Sequence, residues 1–432
     1  MSNTHDSEPH GLVPHPERGA ILGEIHARPF APVETPRRLL HFAFLTDSTQ
    51  AAADREALMR FCNERGAAPP LDGAKHHRVR LGEASLRWEQ HSEFTTYSWE
   101  LPASAAAPFQ PATGVLAHGM AALPQPGPHL VSVDLHLLPD GDFSGLDAIF
   151  DAASLAACLV DNGGAIAATD FRAGADGFVR ILLLDRALTP SRAGALTQRL
   201  LEIETYRTLA LLGLPESWRI GPSVRRTEET LVRIVSTMTA TNGLAADHAL
   251  LDEMTALAAR LESEAASSNY RFGASRAYDT IVQQRLLAIG EQPFAGWPTI
   301  TAFLARRMAP AMRTCQMLQE RQGDLATRLA RAANLLRTRV DVALEQQNRD
   351  LLGAMNDRAR MQLRLQQTVE GLSVAAIAYY VVSLFGYIAK GAKDSGWLRM
   401  EPGLATALFV PVALLGVWAA VRRIRRGNGG ED

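Results

Sequence analysis

The chain has 432 residues, too many for one ordinary domain, and its 47% hydrophobic content can supply a sizeable core. A formal net charge of −2 argues against bulk nucleic-acid binding and against an acidic solvating tail. Cys62, Cys158 and Cys315 are odd in number and far apart, which excludes a disulfide framework or a CxxC metal site and fits a reducing cytoplasm.

The N-terminal Met-Ser-Asn-Thr-His-Asp has neither a basic n-region nor an apolar h-region, so no signal peptide is expected. Glu24–Phe30 (EIHARPF) is chemically dense. Arg28 could hold a carboxylate or phosphate through two hydrogen bonds, and His26 could exchange a proton. The plainer reading is that Pro29 and Phe30 pin an extended segment to the core. Arg38–Leu45 reads as a strand, and Asp54–Arg65 places Ala57, Leu58, Phe61 and Cys62 on one helical face. His76–Arg80 and Ala84–His91 flank Gly82-Glu83 and, with Phe94–Leu101, predict an antiparallel meander. Leu130–Leu138 alternates as a strand, and Leu146–Asp161 is expected to be helical. Ala165–Arg172 and Phe178–Asp185 are strands around Gly174, Asp176 and Gly177. Thr189 is the expected N-cap of a helix over Pro190–Leu212, with Pro190 at N1 and Pro215 ending it. Residues 1–222 thus form an α+β domain with a mixed or antiparallel sheet.

Residues 223–368 read as almost wholly helical. Their punctuation is Asn242-Gly243, Ser268-Asn269, Pro293, Gly296-Trp297-Pro298 and Pro310. Leu318, Leu325, Ala332, Leu336, Val340, Ala343, Leu351, Met355, Leu365 and Val369 recur mostly at three, four and seven. That pattern predicts a weak coiled-coil seam, hence a helical stalk and a homo-oligomer. One helix from Ala311 to Ala389 would be roughly 120 Å long. Gly323 and Gly353 would each cost it about 1 kcal/mol relative to alanine.

Residues 369–432 hold two uncharged apolar runs, Gly371–Ala389 and Gly403–Val421. As helices each spans roughly 28 Å, about the hydrocarbon thickness of a bilayer, so a transmembrane hairpin is expected. Arg358, Arg360 and Arg364 precede the first run, and Arg422, Arg423, Arg425 and Arg426 follow the second. The loop carries Lys390, Lys393 and Arg399 against Asp394 and Glu401. The heavier basic flanks should stay inside, so both termini are expected in the cytoplasm.

Among the 12 histidines, His136 lies two residues from Asp134 in a strand, so the two share a face as metal ligands would. His91 and Glu93 also share a strand face and read first as a surface or hydrogen-bonded pair. The metal candidates are Asp134, His136, His91 and Glu93, with which His26, His41, His76 and His77 could in principle converge. No spacing matches a zinc site and there is no HExxH. Arg199 with Glu202, and Glu204 with Arg207, fit surface ion pairs on a helix. There is no GxxxxGK[ST], no GxGxxG after a strand, no GxSxG and no kinase set, so no catalysis or cofactor is identified.

The segments EIHARPF (Glu24–Phe30), RWEQHSEFTTYSWE (Arg87–Glu100), QRLLEIETYRTLALLGLP (Gln198–Pro215) and VEGLSVAAIAYYVVSLFGYIAKG (Val369–Gly391) resemble the hallmark blocks of a bacterial membrane-anchored family, domain of unknown function 3422. The resemblance runs from about His15 to Arg422. It implies a protein of the bacterial inner membrane and no assigned activity. The architecture is also similar to that of the CorA divalent-cation channels, which are pentamers with a Gly-Met-Asn signature after the first span. Here the comparable residues are Gly386-Tyr387-Ile388, and Lys390 and Lys393 stand where a cation channel would want acidic charge. The expectation is therefore a membrane-anchored cytoplasmic sensing or scaffolding protein that self-associates, its ligand undefined. The alternative is an ion pathway lined by Ser373, Tyr380, Ser383, Gly386 and Tyr387.

Overall fold

The computed structural model describes residues 15–19, 21–22, 30–104, 108–109, 123–141, 145–241, 243–397 and 399–427. His26 and Arg28 of the early segment, and Asn242, lie outside the described residues. The chain divides into two compact units, Met1–Ser236 with Glu253–Ala332, and Thr237–Asp252 with Ala333–Asp432.

The first unit is built on a nine-stranded mixed sheet. Its strands are β1 (Arg37–Leu45), β2 (His76–Leu81), β3 (Ala84–Gln90), β4 (Phe94–Pro102), β5 (His129–Pro139), β6 (Ala156–Val160), β7 (Ala165–Ala173), β8 (Val179–Asp185) and β9 (Gln292–Pro293). Their order is β2-β3-β4-β1-β5-β8-β7-β6-β9. The β5–β8 pair is parallel, and β1 pairs antiparallel with both β4 and β5. The meander is as expected, and Gly82, at φ 68, turns the β2–β3 hairpin.

Period-two alternation sorts the two faces. Leu40, Phe42 and Phe44 of β1 point with Leu86, Trp88, Tyr97 and Trp99 onto helix α1 (Ser48–Glu64), meeting Leu58, Phe61 and Cys62. Burying each such side chain contributes about 1.5–3 kcal/mol. Helix α1 starts six residues earlier than the apolar pattern shows, because Asp47 and Gln50 form a capping box. Inside this core the Asp54 carboxylate accepts from Tyr97 Oη at 2.6 Å and Trp88 Nε1 at 2.7 Å. Burial pushes the Asp54 carboxyl up, and these two hydrogen bonds offset part of that rise.

Leu39, Ala43, Val133, Leu135 and Leu137 point the other way, towards helix α3 (Pro190–Leu211) and its Leu196, Leu200 and Ile203. Thr189 caps α3 as expected, accepting from Arg192 N. Between them lies one correction. Leu146–Asp161 is not a helix but a single turn, α2 (Leu146–Ile149), followed by strand β6. A five-residue apolar run carries no decisive period, and Ala156–Val160 pairs with β7 on one side and β9 on the other.

Pro215 does not end α3. The break falls at Leu212, and Pro215 sits in the first turn of helix α4 (Gly213–Ala240), where a missing N–H costs no hydrogen bond. Ser268-Asn269 and Pro310 are not breaks either. Helix α5 (Leu244–Ala288) runs through the first, where Ser268 donates to Glu264 O, and helix α6 (Ile300–Asp394) runs through the second. Phe303, Leu304 and Met308 before Pro310 and Cys315 after it are all buried, so packing on both sides holds the helix across the proline.

In the second unit Arg339 donates to the carbonyls of Met238 and Thr241 at 2.7 Å each and pairs with Asp247 at 3.1 Å, tying α6 to the α4–α5 turn. The expected seam is used within the chain as far as Leu336 and Val340, which are buried. Beyond that, Leu351, Met355, Leu365 and Val369 are exposed. Helix α7 (Pro402–Gly427) packs antiparallel on the end of α6 through small residues, with Ala378, Ala389 and Ala413 buried and the rings of Phe385 and Phe409 stacked at 3.9 Å. Lys393 and Glu401 pair across the loop at 2.6 Å.

A Cβ at Gly194 would lie 1.9 Å from the carbonyl oxygen of Ala31, so α3 meets the segment before β1 backbone to backbone. Gly194→Ala should destabilise the first unit by about 1–3 kcal/mol. Gly353→Ala, in open space on a helix, should cost nothing and add up to about 1 kcal/mol of helix stability. Thermal unfolding of the two variants measures the contrast, and equal midpoints would contradict it.

Candidate functional site

On the α3 face of the sheet, strands β1, β3 and β4 turn polar side chains inward. His41↔Ser98, Arg87↔Ser98 and Glu89↔Thr96 are directly opposed, so His41, Arg87, Glu89, Thr96 and Ser98 share one face. Helix α3 covers them with Gln198, Leu201, Glu202, Thr205 and Tyr206, and α5 contributes Arg285. The result is a cleft of about 220 Å³, with Phe30, His91 and Phe94 completing its wall.

His41 is buried and fully hydrogen-bonded. Its Nδ1 lies 2.8 Å from Ser98 Oγ and its Nε2 2.9 Å from Thr205 Oγ1. The Thr205 hydroxyl gives its one proton to Leu201 O at 2.9 Å, so it accepts from His41. That assigns the neutral tautomer with the proton on Nε2, and Ser98 donates to Nδ1. Burial, then the charges of Arg87 and His91, lower the His41 pKa to about 3. Such an imidazole is a poor base for activating Ser98, so this chain of hydroxyls and ring reads as a fixed polar frame.

Around it the charged groups are interlocked. Arg87 Nη1 donates to Gln198 Oε1 at 2.7 Å, and Gln198 Nε2 donates to Glu202 Oε1 at 2.9 Å. Arg285 Nε donates to the other oxygen of Glu202. Glu202 therefore faces the cleft rather than pairing with Arg199, which stacks over the Phe30 ring and reaches Ala288 O. Glu204 and Arg207 do pair, but the pair is not on the surface, since Glu204 is buried. Two groups stay unsatisfied. Among the described residues Thr96 Oγ1 has no hydrogen-bond partner, and the Glu89 carboxylate has only Arg87 Nε at 3.9 Å.

The metal candidates do not converge. Asp134 opposes Leu40 on the α1 face, so it and His136 lie on the opposite side of the sheet from the cleft. Asp134 accepts from Arg38 Nε at 2.9 Å and Arg38 Nη2 at 2.8 Å, and His136 Nε2 is 3.2 Å from it. Burial would raise the Asp134 carboxyl, but His136 and Arg38 outweigh it and hold it below the ordinary range. His91 and Glu93 are not on a strand face. They sit in the turn between β3 and β4, at the far end of β1 from Asp134. The His91 ring stacks on Phe94 with centroids 4.1 Å apart, and Glu93 is gripped by Arg271 at 2.8 and 3.1 Å and by Tyr270 Oη at 3.1 Å. Burial would raise the Glu93 carboxyl, yet the hydrogen bonds from Arg271, Tyr278 and Tyr270 hold it low. Among the described residues no group of three or more His, Cys, Asp or Glu side chains is placed to hold a metal ion.

The expected pore-lining set is also divided. Gly386 faces α7, a Cβ there lying 3.5 Å from Thr406 Oγ1, and Ser383 is half-buried. Tyr380 and Tyr387 are exposed, and Ser373 is exposed with its hydroxyl donated to Val369 O. Tyr380, Ser383 and Tyr387, three and four residues apart, share one side of α6, and Gly386 is turned away from it towards α7.

Sequence reasoning considered His41 only as one histidine that could join a metal site, and missed Arg87, Glu89, Thr96, Gln198 and Glu202 as cleft residues. The signal was there in the alternation of polar side chains along β3 and β4, which reads as a solvent face until α3 covers it. The cleft also gathers Phe30 with residues of Arg87–Glu100 and Gln198–Pro215, three of the four segments that carry the family resemblance.

Because His41 is neutral when folded and protonates near 6.5 when unfolded, its contribution to stability is flat above pH 6.5. It falls on acidification from pH 6.5 towards 3, by up to about 1.4 kcal/mol per pH unit from this group. His41→Gln should flatten the slope between pH 6.5 and 5 in denaturant titrations, and an unchanged slope would remove His41 as its source.

No curated protein matches the chain. Neither that search nor the family match supports the likeness to CorA channels. The family model described as protein of unknown function (DUF3422) matches residues 13–427, nearly the whole sequence, and the chain belongs to that family.

Proposed function

We propose that this chain is a membrane-anchored sensing or scaffolding protein that self-associates, with its first unit presenting a ligand-binding cleft. One observation carries the anchoring. Of the most apolar windows of α6 and α7, only 11% and 6% of residues are buried. A core helix of a soluble protein would be mostly covered, whereas Leu372, Tyr379, Leu384, Tyr387, Leu408, Val412 and Leu415 are all exposed. A bilayer is the medium in which that surface is stable. The basic residues Arg358, Arg360 and Arg364 before the first span and Arg422 and Arg423 after the second support both termini in the cytoplasm of a bacterial inner-membrane protein.

Self-association is favoured by the exposed stretch of α6. Leu344, Leu351, Leu365 and Leu372 are exposed at multiples of seven residues, the spacing of a helix–helix seam, and are interrupted by Arg358. Helix α6 also links the two roles, since Ile300 and Phe303 belong to the core behind the cleft and Gly371–Ala389 near its other end is the proposed first span.

In cell fractionation the full-length chain should stay with membranes after alkaline carbonate, and release into the supernatant would overturn the anchor. Light scattering in detergent, with the detergent mass subtracted, should give more than one chain per particle. Leu351→Glu with Leu365→Glu should lower that number, and a monomeric wild type would end the self-association reading.

A further inference from the structure

We propose that the cleft is a receptor for a small zwitterion, a molecule of amino-acid size with one ammonium and one carboxylate group. The inference deepens the ligand-binding reading above and rests on it. Its ground is the pair of polar groups that the fold buries and leaves unanswered. Glu89 and Thr96 face each other across β3 and β4, 8% and 3% exposed, and both line the cleft. Among the described residues the hydroxyl has no hydrogen-bond partner, and the carboxylate has only the Arg87 Nε at 3.9 Å. Every other polar group of the frame is engaged, His41 by two hydroxyls, Gln198 by Arg87 and Glu202, and Glu202 by Arg285. Buried polar groups are satisfied as a rule, so an unanswered pair turned into one cavity is the mark of a missing partner.

The chemistry of that partner follows from what is left open. Glu89 can only accept while ionised, and the Thr96 hydroxyl can accept beside it, so the partner brings N–H donors and positive charge to that point. Arg87 uses one N–H on Gln198 and keeps others in the lining, with Glu89 too far at 3.9 Å to take them well. An ammonium on Glu89 would leave Arg87 without its nearest counter-charge unless the same molecule supplies a carboxylate. Among the described lining residues the permanent charges of Arg87 and Arg285 balance those of Glu89 and Glu202, beside a neutral His41 and the His91 ring stacked on Phe94. A ligand with net charge would leave an uncompensated charge in a buried site, and a zwitterion would not. Phe94, Leu201 and Tyr206 offer apolar contact for a short carbon chain. At about 220 Å³ the space is smaller than the roughly 300–1,000 Å³ of drug-sized pockets.

The test uses the full-length protein in detergent and follows its unfolding midpoint and calorimetric binding. The probes are the proteinogenic amino acids and a matched trio, 4-aminobutanoate, butylamine and butyrate. At least one zwitterion should raise the midpoint saturably, with the singly charged compounds about 10–100-fold weaker. Glu89→Gln and Thr96→Val should each weaken that zwitterion about tenfold, while Thr96→Ser, which keeps the hydroxyl, should restore binding. Butylamine binding as well as any zwitterion would make the cleft a cation site and overturn the proposal, and butyrate doing so would make it an anion site with the same consequence. Binding by no probe, or binding indifferent to Glu89→Gln, would overturn it as well. Failure of the anchoring reading is a separate event, because carbonate release of the protein would leave zwitterion binding unchanged.

Discussion

Helix α3 covers a sheet face that is polar in its middle, and much of the first unit follows from that one constraint. A helix seated on His41, Arg87, Glu89, Thr96 and Ser98 removes their water, so each must find a partner or remain costly. Thr205, Gln198 and Glu202 are the answers α3 brings, at spacings of four and three residues that set all of them on its sheet-facing side. The backbone approach at Gly194 is what lets the start of α3 meet the segment before β1 so closely. The apolar pairs on either side, Leu39 and Ala43 with Leu196 and Leu200, supply the favourable burial against which the polar middle is held.

Much of the architecture was legible because its signals were local. The strands of the meander alternate, Thr189-Pro190 marks a helix start, and the two apolar runs stand out by length alone. The failures have one character, which is tertiary context overriding a local sign. Ala156–Val160 became a strand because β7 and β9 were there to pair with it. Pro310 and Ser268 sit inside helices because residues on both sides are packed. The weak seam from Leu318 to Val369, with its interruptions near Gln347 and Arg358, read as one element, yet it divides at Val340 according to whether the chain folds back on it.

The site was harder to read for the same reason. Asp134 and His136 looked like a pair of ligands and are in fact neighbours on one strand face, but Arg38 from β1 neutralises the aspartate. His91 and Glu93 belong to a turn whose work is to hold α5 through Arg271. Conversely, nothing in the spacing of Arg87, Glu89 and Thr96 announces a cleft, because an alternating polar face is the ordinary sign of a solvated strand. Only the covering helix, distant in sequence, turns it into an interior.

Residues 341–369 of α6 carry a different implication. Within the chain they bury almost nothing, so there the helix rests on its own propensity and on local pairs such as Arg349 with Glu345. Such a stretch opens at far lower free energy than the sheet, and its amides should exchange with solvent orders of magnitude faster. Any second surface laid along it, from another copy or from elsewhere, would slow that exchange in register with the contacts made. The segment that contributes least to the fold of a single chain is therefore the one whose exchange rates would report most directly on what the chain has assembled with.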